Sequence, residues 1–127
     1  MKSLSLLYLE DNEMKDIYEE IQYKDKTYRL VFNLNVMERV QEEYGTVESL
    51  INMISDTDTE INAKALKFMF TEMINEGIDI SNDENGTDDK MLTPKQVGRI
   101  ITEIGMTATA QAVNKTIDAS VKSEEKN

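Results

Sequence analysis

TYRLVFNLNVMERVQEEYG, residues 27–45, changes its hydrophobic period halfway along. Tyr28, Leu30, Phe32 and Leu34 alternate with Arg29, Val31 and Asn33, the pattern of a half-buried β-strand. Val36, Met37, Val40 and Tyr44 then recur at helical spacing, with Glu38, Arg39, Glu42 and Glu43 on the wet side. The stretch therefore reads as a strand that turns directly into an amphipathic helix. Asn35 is placed to cap that helix, and Glu38, three residues on, can reach back to the cap N–H. Gly45 is the expected stop, because it enters a left-handed conformation without a Cβ penalty.

Upstream, residues 17–23 (IYEEIQY) alternate too, with Ile17, Ile21 and Tyr23 on the same face as Glu19. Lys24, Asp25 and Lys26 form a short polar break, so the two runs read as a β-hairpin. Its turn lacks the Asn-Gly or Asp-Gly that tight hairpins prefer. Residues 1–13, MKSLSLLYLEDNE, have no small-residue cleavage site and their apolar run is interrupted by Ser5, which argues against a secretory signal. Codons for Leu9-Glu10-Asp11 can contain GGAGG, a ribosome-binding sequence, just ahead of Met14. The expectation is that Met14 is the native start and residues 1–13 a non-native or flexible extension. The alternative is an extra edge strand.

Downstream, Thr46 can cap a helix Val47–Ser55 whose Val47, Leu50, Ile51 and Ile54 lie on one side. Residues 56–60 (DTDTE) are a polar loop that also supplies caps. The next helix, 61–76, is the most apolar: Ala65, Leu66, Phe68, Met69, Phe70, Met73 and Ile74 cover more than half its circumference. It is expected to be central and buried on two sides, or to keep one face for a partner, and to end at Gly77. Ile78 and Ile80 then lead into a polar, acidic loop at 81–90. Thr93, Pro94 and Gln96 mark a helix start with cap, first-turn proline and capping-box partner. Val97, Ile100, Ile101 and Ile104 form its stripe, and Gly105 ends it. Thr107 can cap a last helix to about Val121, with Ala110, Val113, Ile117 and Val121 facing inward, before a tail at 122–127 expected to fray. The fold class expected is α+β, mainly α: an N-terminal β-hairpin followed by about five short helices in a small bundle. Residues 14–121 are read as a single globular domain.

A chain of 127 residues with 39% hydrophobic and 31% charged side chains fits one domain with a modest core. No apolar run is long enough to cross a bilayer. The net charge of −11 disfavours nucleic acid and anionic membranes as partners. Cysteine and histidine are absent, which excludes disulfides and thiol or imidazole catalysis and removes the usual zinc ligands. Residues 81–92 can be set against a calcium loop with Gly86 at the sixth position, but Leu92 then stands where the bidentate Glu belongs. Residues 97–117 can be set against a DNA-reading helix pair, but the second helix carries Lys115 against Asp118, with Gln111 and Asn114 at inward positions. Acidic neighbours such as Glu19/Glu20 and Glu42/Glu43 point in different directions and do not converge. The expectation is a protein without enzymatic activity, cofactor or metal.

Residues 23–45, YKDKTYRLVFNLNVMERVQEEYG, resemble the beginning of tail assembly chaperones of tailed bacteriophages and phage-derived tail-like particles. The matching positions are Tyr28, Leu30, Phe32, Leu34, Asn35, Glu42, Glu43, Tyr44 and Gly45. KQVGRIITEIG, residues 95–105, followed by an alanine-rich helix, resembles the family's C-terminal half. The resemblance implies a small acidic protein in the bacterial host cytoplasm that binds the tape measure protein and helps tail tube protein subunits assemble. It implies absence from the finished particle and, in many members, a second, frameshifted product with a longer C-terminus. The competing reading is a structural tail component or adaptor retained in the virion. A third, an acidic decoy that mimics DNA, needs a regular stripe of carboxylates, and here they are scattered between apolar faces. A tape measure helix calls for an adaptable apolar groove, and methionine-rich surfaces adapt well. Met53, Phe68, Met69, Phe70 and Met73 are the candidate partner-binding residues, with plain core packing as the alternative. The free edge of a small hairpin also suggests a homo-oligomer.

Overall fold

Two antiparallel strands, β1 (Glu19–Tyr23) and β2 (Lys26–Leu30), form the expected hairpin in a computed structural model that describes residues 19–55 and 60–126, with side chains to residue 121. The Met14 start, the extension at 1–13, Ile17 and the caps expected at 56–59 lie outside the described residues. Five helices follow: α1 (Leu34–Tyr44), α2 (Val47–Ser55), α3 (Ala63–Asn85), α4 (Pro94–Ile104) and α5 (Met106–Lys126). The fold is α+β and mainly helical, as the periodicities indicate.

The hairpin pairs Ile21 with Tyr28 and closes at Tyr23 and Lys26. Lys24 takes the positive φ of 56° that the tight turn demands. Its ammonium lies 5.4 Å from the centre of the Tyr23 ring. β2 stops at Leu30 instead of running on to Leu34. Beyond that point the Val31 N–H donates to the carbonyl of Met73 on α3, at 3.2 Å. Asn33 then caps α1, its Oδ1 accepting from Val36 N. The expected cap, Asn35, is already inside the first turn, and its side chain donates to Glu76 at 3.1 Å. Leu34 loses the alternating phase and stands 76% exposed.

α3 is the centre of the molecule, packing against β2 and all four other helices. Asn62 caps it, with Oδ1 accepting from Ala65 N. Gly77 does not end it. The helix continues for two more turns, and Gly86, at φ 64°, supplies the left-handed cap. Gly77 serves another purpose: a Cβ there would overlap the carbonyl oxygen of Arg29 on β2. The missing side chain lets strand and helix backbones touch.

The Gly45 and Thr46 signals operate as read, with Thr46 Oγ accepting from Ser49 N. So does the Thr93 start, where Thr93 and Gln96 bond each other's backbone reciprocally. Gly105 separates α4 from α5 in one residue. Its N–H reaches Ile101 O and its carbonyl accepts from Thr109, which makes α5 begin at Met106, so that Thr107 is not its cap. α5 is also longer than expected, and Val121 is exposed where an inward position was expected. The buried core joins Leu30, Phe32, Val36, Val40, Leu50 and Ile54 to α3, and α3 to Val97, Ile100, Ala110, Val113 and Ile117. Among the described residues no buried side-chain nitrogen or oxygen lacks a partner.

The Gly77→Ala substitution tests the strand-to-helix contact. It is expected to cost about 3 kcal/mol or more in urea-induced unfolding, because backbone, not a flexible side chain, would have to move.

Candidate partner-binding surface

Helical periodicity explains why Met69, Phe70 and Met73 looked like a surface: they belong to a helix apolar over most of its circumference. The structure buries all three completely. β2 and the neighbouring helices cover α3 on more than one side, so no face at these positions is left open. These three are core residues, and the expectation that they form an open groove is corrected.

Phe68 and Met53 reach the surface, in different settings. Phe68 is half-buried, its ring 5.3 Å from that of Tyr44 and tilted by 59°. The Arg39 guanidinium lies 5.7 Å from its centre. Arg39 itself is held by Glu42 at 2.8 Å and faces Glu72 at 3.6 Å. Burial, then the neighbouring Glu43, raises the Tyr44 phenol above its ordinary pKa, so it stays neutral under physiological conditions. Phe68 is thus engaged with α1. Met53, on α2, is 40% exposed. The five candidates do not assemble into one patch.

Hollows lie elsewhere among the described residues, and two of them bear on the site. The first, about 670 Å³, lies between β2, the second half of α3 and the segment before α4. Two asparagines one heptad apart on α3 hold that segment. Asn75 donates to Leu92 O and accepts from Leu92 N, at 2.9 and 2.8 Å. Asn82 donates to Asp89 O and accepts from Asp89 N, both at 3.0 Å, and also accepts from the Thr87 hydroxyl. Each side-chain amide takes the place of a neighbouring peptide group. The calcium register is replaced by this arrangement: residues 81–85 are helix, and Asn82 is committed to the loop backbone. No group of three or more acidic side chains gathers to hold a metal among the described residues.

The second hollow, about 330 Å³, is an open apolar groove between the start of α3 and the junction of α4 with α5. The buried Leu66 and Ile101 lie at its floor, and Met106, 36% exposed, stands at the junction. Lys64 and Lys67 flank it from α3, and Gly98 and Thr102 from α4. Gly98 is a helix-interior glycine with negative φ, where glycine costs about 1 kcal/mol relative to alanine. Packing does not demand it. A Cβ at 98 would meet only the Lys67 Cδ, at an ordinary 3.4 Å. Sequence reasoning missed this groove. The signals were Gly98 inside a strong helical stripe and two lysines on an otherwise apolar helix.

The remaining acidic pairs are separated on the surface. Glu19 faces Lys115 at 3.6 Å and Glu42 faces Arg39. Asn114 donates to Ser55 at 2.9 Å, which ties α5 to α2. Among the described residues no helix is long and apolar enough to cross a membrane. Comparisons with protein-family models, curated proteins and solved structures find no match to this chain.

Core and surface roles separate by mutation. Met69→Ala and Met73→Ala are each expected to lose about 2–5 kcal/mol of unfolding free energy, while Met53→Ser stays within about 0.5 kcal/mol of the parent. Gly98→Ala is expected to leave stability unchanged or raise it by up to about 1 kcal/mol. Chemical denaturation of the four variants checks all three statements.

Proposed function

We propose that this chain is a tail assembly chaperone of a tailed bacteriophage or phage-like particle. It binds the tape measure protein in the host cytoplasm, helps tail tube subunits assemble around it, and leaves before the particle is finished. The observation that carries this reading is the resemblance of residues 23–45 and 95–105 to that family. The surface supports it in chemical terms. A chaperone for a long apolar helix needs a body that stays dispersed and a place for apolar side chains to rest. The net charge of −11 serves the first need through mutual repulsion between copies. The apolar groove between α3, α4 and α5 is suited to the second.

Binding, not catalysis, fits the side-chain inventory. The chain offers no imidazole or thiol, and Glu19 and Glu42 are paired with bases on separate faces. The net charge of −11 also disfavours a phosphate backbone as partner.

Co-expression with the long, helix-rich protein encoded nearby tests the proposal. The expected outcome is a soluble complex with that protein, together with absence of this chain from purified particles. Recovery of the chain in finished particles would instead establish a structural tail component. Failure of the long protein to co-purify would overturn the chaperone reading.

A further inference from the structure

We propose that the groove at the α3–α4–α5 junction is a docking site for an acidic amphipathic helix of a partner protein. In a chain of net charge −11, bases are the minority, and most of a random surface patch would be acidic or neutral. Around this groove the balance is reversed. Lys64 and Lys67 flank it directly. On α4, Lys95, Gly98, Arg99 and Thr102 share one face by their spacing of three and four. Gly98 and Thr102 line the groove, so Lys95 and Arg99 extend the same face. None of these four bases makes an ion pair among the described residues, so their charges are open to a partner. α3 carries no acid before Glu72, and α4 carries only Glu103.

The shape gives the second constraint. On α4 the two cations, Lys95 and Arg99, stand four residues apart, about 6 Å along the helix. A compact ligand would meet one or two of them, whereas a helix laid along the groove meets bases on both walls. Met106 offers it apolar contact above the buried Leu66 and Ile101, and its thioether can adjust to the side chain it receives. Gly98 completes the picture. Its helix-propensity cost has no packing reason, and any larger side chain there would project into the groove. An occupant with leucine-like residues at i, i+4 and i+7 and carboxylates along both flanks satisfies charge and shape together.

This deepens the chaperone reading, on which it rests only for the claim that the occupant belongs to a partner protein. The test uses the full chain, labelled at its methionine methyl groups, and a synthetic amphipathic peptide with Leu at i, i+4 and i+7 and Glu at the flanking positions. The methionines report different surfaces: Met106 the groove, Met91 the hollow beside β2, and Met53 the face of α2. The expected result is a saturable shift of the Met106 signal, with Met53 and Met91 unmoved. Lys64→Glu with Lys67→Glu should weaken this peptide about tenfold and make the chain prefer a version with Lys in place of Glu. Gly98→Met should abolish the shift in a chain whose other methionine signals keep their positions. If that variant unfolds, the double charge reversal carries the test alone.

Movement at Met53 or Met91 in place of Met106 would overturn the proposal, as would no movement at all. An equal response to polyglutamate lacking leucine would overturn it too, since charge without the groove would then suffice. The co-expression experiment separates this proposal from the chaperone reading. Undiminished tape measure binding by the charge-reversed chain would reject the groove and keep the chaperone. Peptide binding at Met106 without any tape measure complex would do the reverse.

Discussion

The carbonyl of Arg29 occupies the space that a side chain at position 77 would need, and the fold is arranged around that contact. β2 can lie directly on α3 because the helix has no Cβ there. One turn of α3 then captures the whole junction between strand and first helix. Val31 N–H takes a second lone pair of the Met73 carbonyl. Asn33 and Asn35 both donate to the same oxygen of Glu76, at 2.7 and 3.1 Å. That carboxylate sits at the N-terminus of α1, where negative charge is favoured. Position, direction and cap of α1 are thus set by residues 73–77. On the other side of the same junction, the Ser120 hydroxyl donates to Phe32 O and draws α5 in.

A helix buried on so many sides must still satisfy what it covers. α3 does this with short side chains that bond locally. The Thr71 hydroxyl returns to Lys67 O, and Thr109 and Thr116 on α5 do the same one turn back. Where the helix emerges, Asn75 and Asn82 take over and bond to the returning chain as peptide groups would. That returning segment ends at Leu92, one residue before the Thr93 cap, so the start of α4 is fixed from α3 as well. The surface ion pairs add little to this, being partly exposed and open to solvent screening.

Much of this was legible in the sequence because it is local. Period changes located the hairpin and the helices, and the signals at Gly45, Thr46, Thr93 and Pro94 acted where they stood. The misreadings at Gly77, Asn35, Leu34 and Met69 share one cause: the decisive neighbour is distant in the chain. Gly77 reads as a stop unless the passage of Arg29 is known. Asn33 and Asn35 are equally good caps until the hydrogen bond from Val31 to Met73 sets where β2 ends. Leu34 continues an alternating pattern whose physical basis has already ended three residues earlier. Met69 and Met73 make the same point for the candidate site. Apolar side chains around a helix show how much surface must be covered, but not whether the same chain covers it.

Gly77 and Gly98 show how the two kinds of surface can be told apart. Both lie inside helices, and both carry the same propensity cost. At Gly77 the structure returns a reason within the chain itself, a backbone that fits nowhere else. At Gly98 the same question finds only the end of a flexible lysine at van der Waals distance. A local rule broken with no compensating contact inside the fold points outside it. If the proposed docking holds, stability and recognition make separate demands on α3 and α4. Where Gly77 meets β2 the two backbones touch, and the larger hollow lies beside that contact. The half of α3 that meets α4 keeps a hollow that its own side chains leave unfilled.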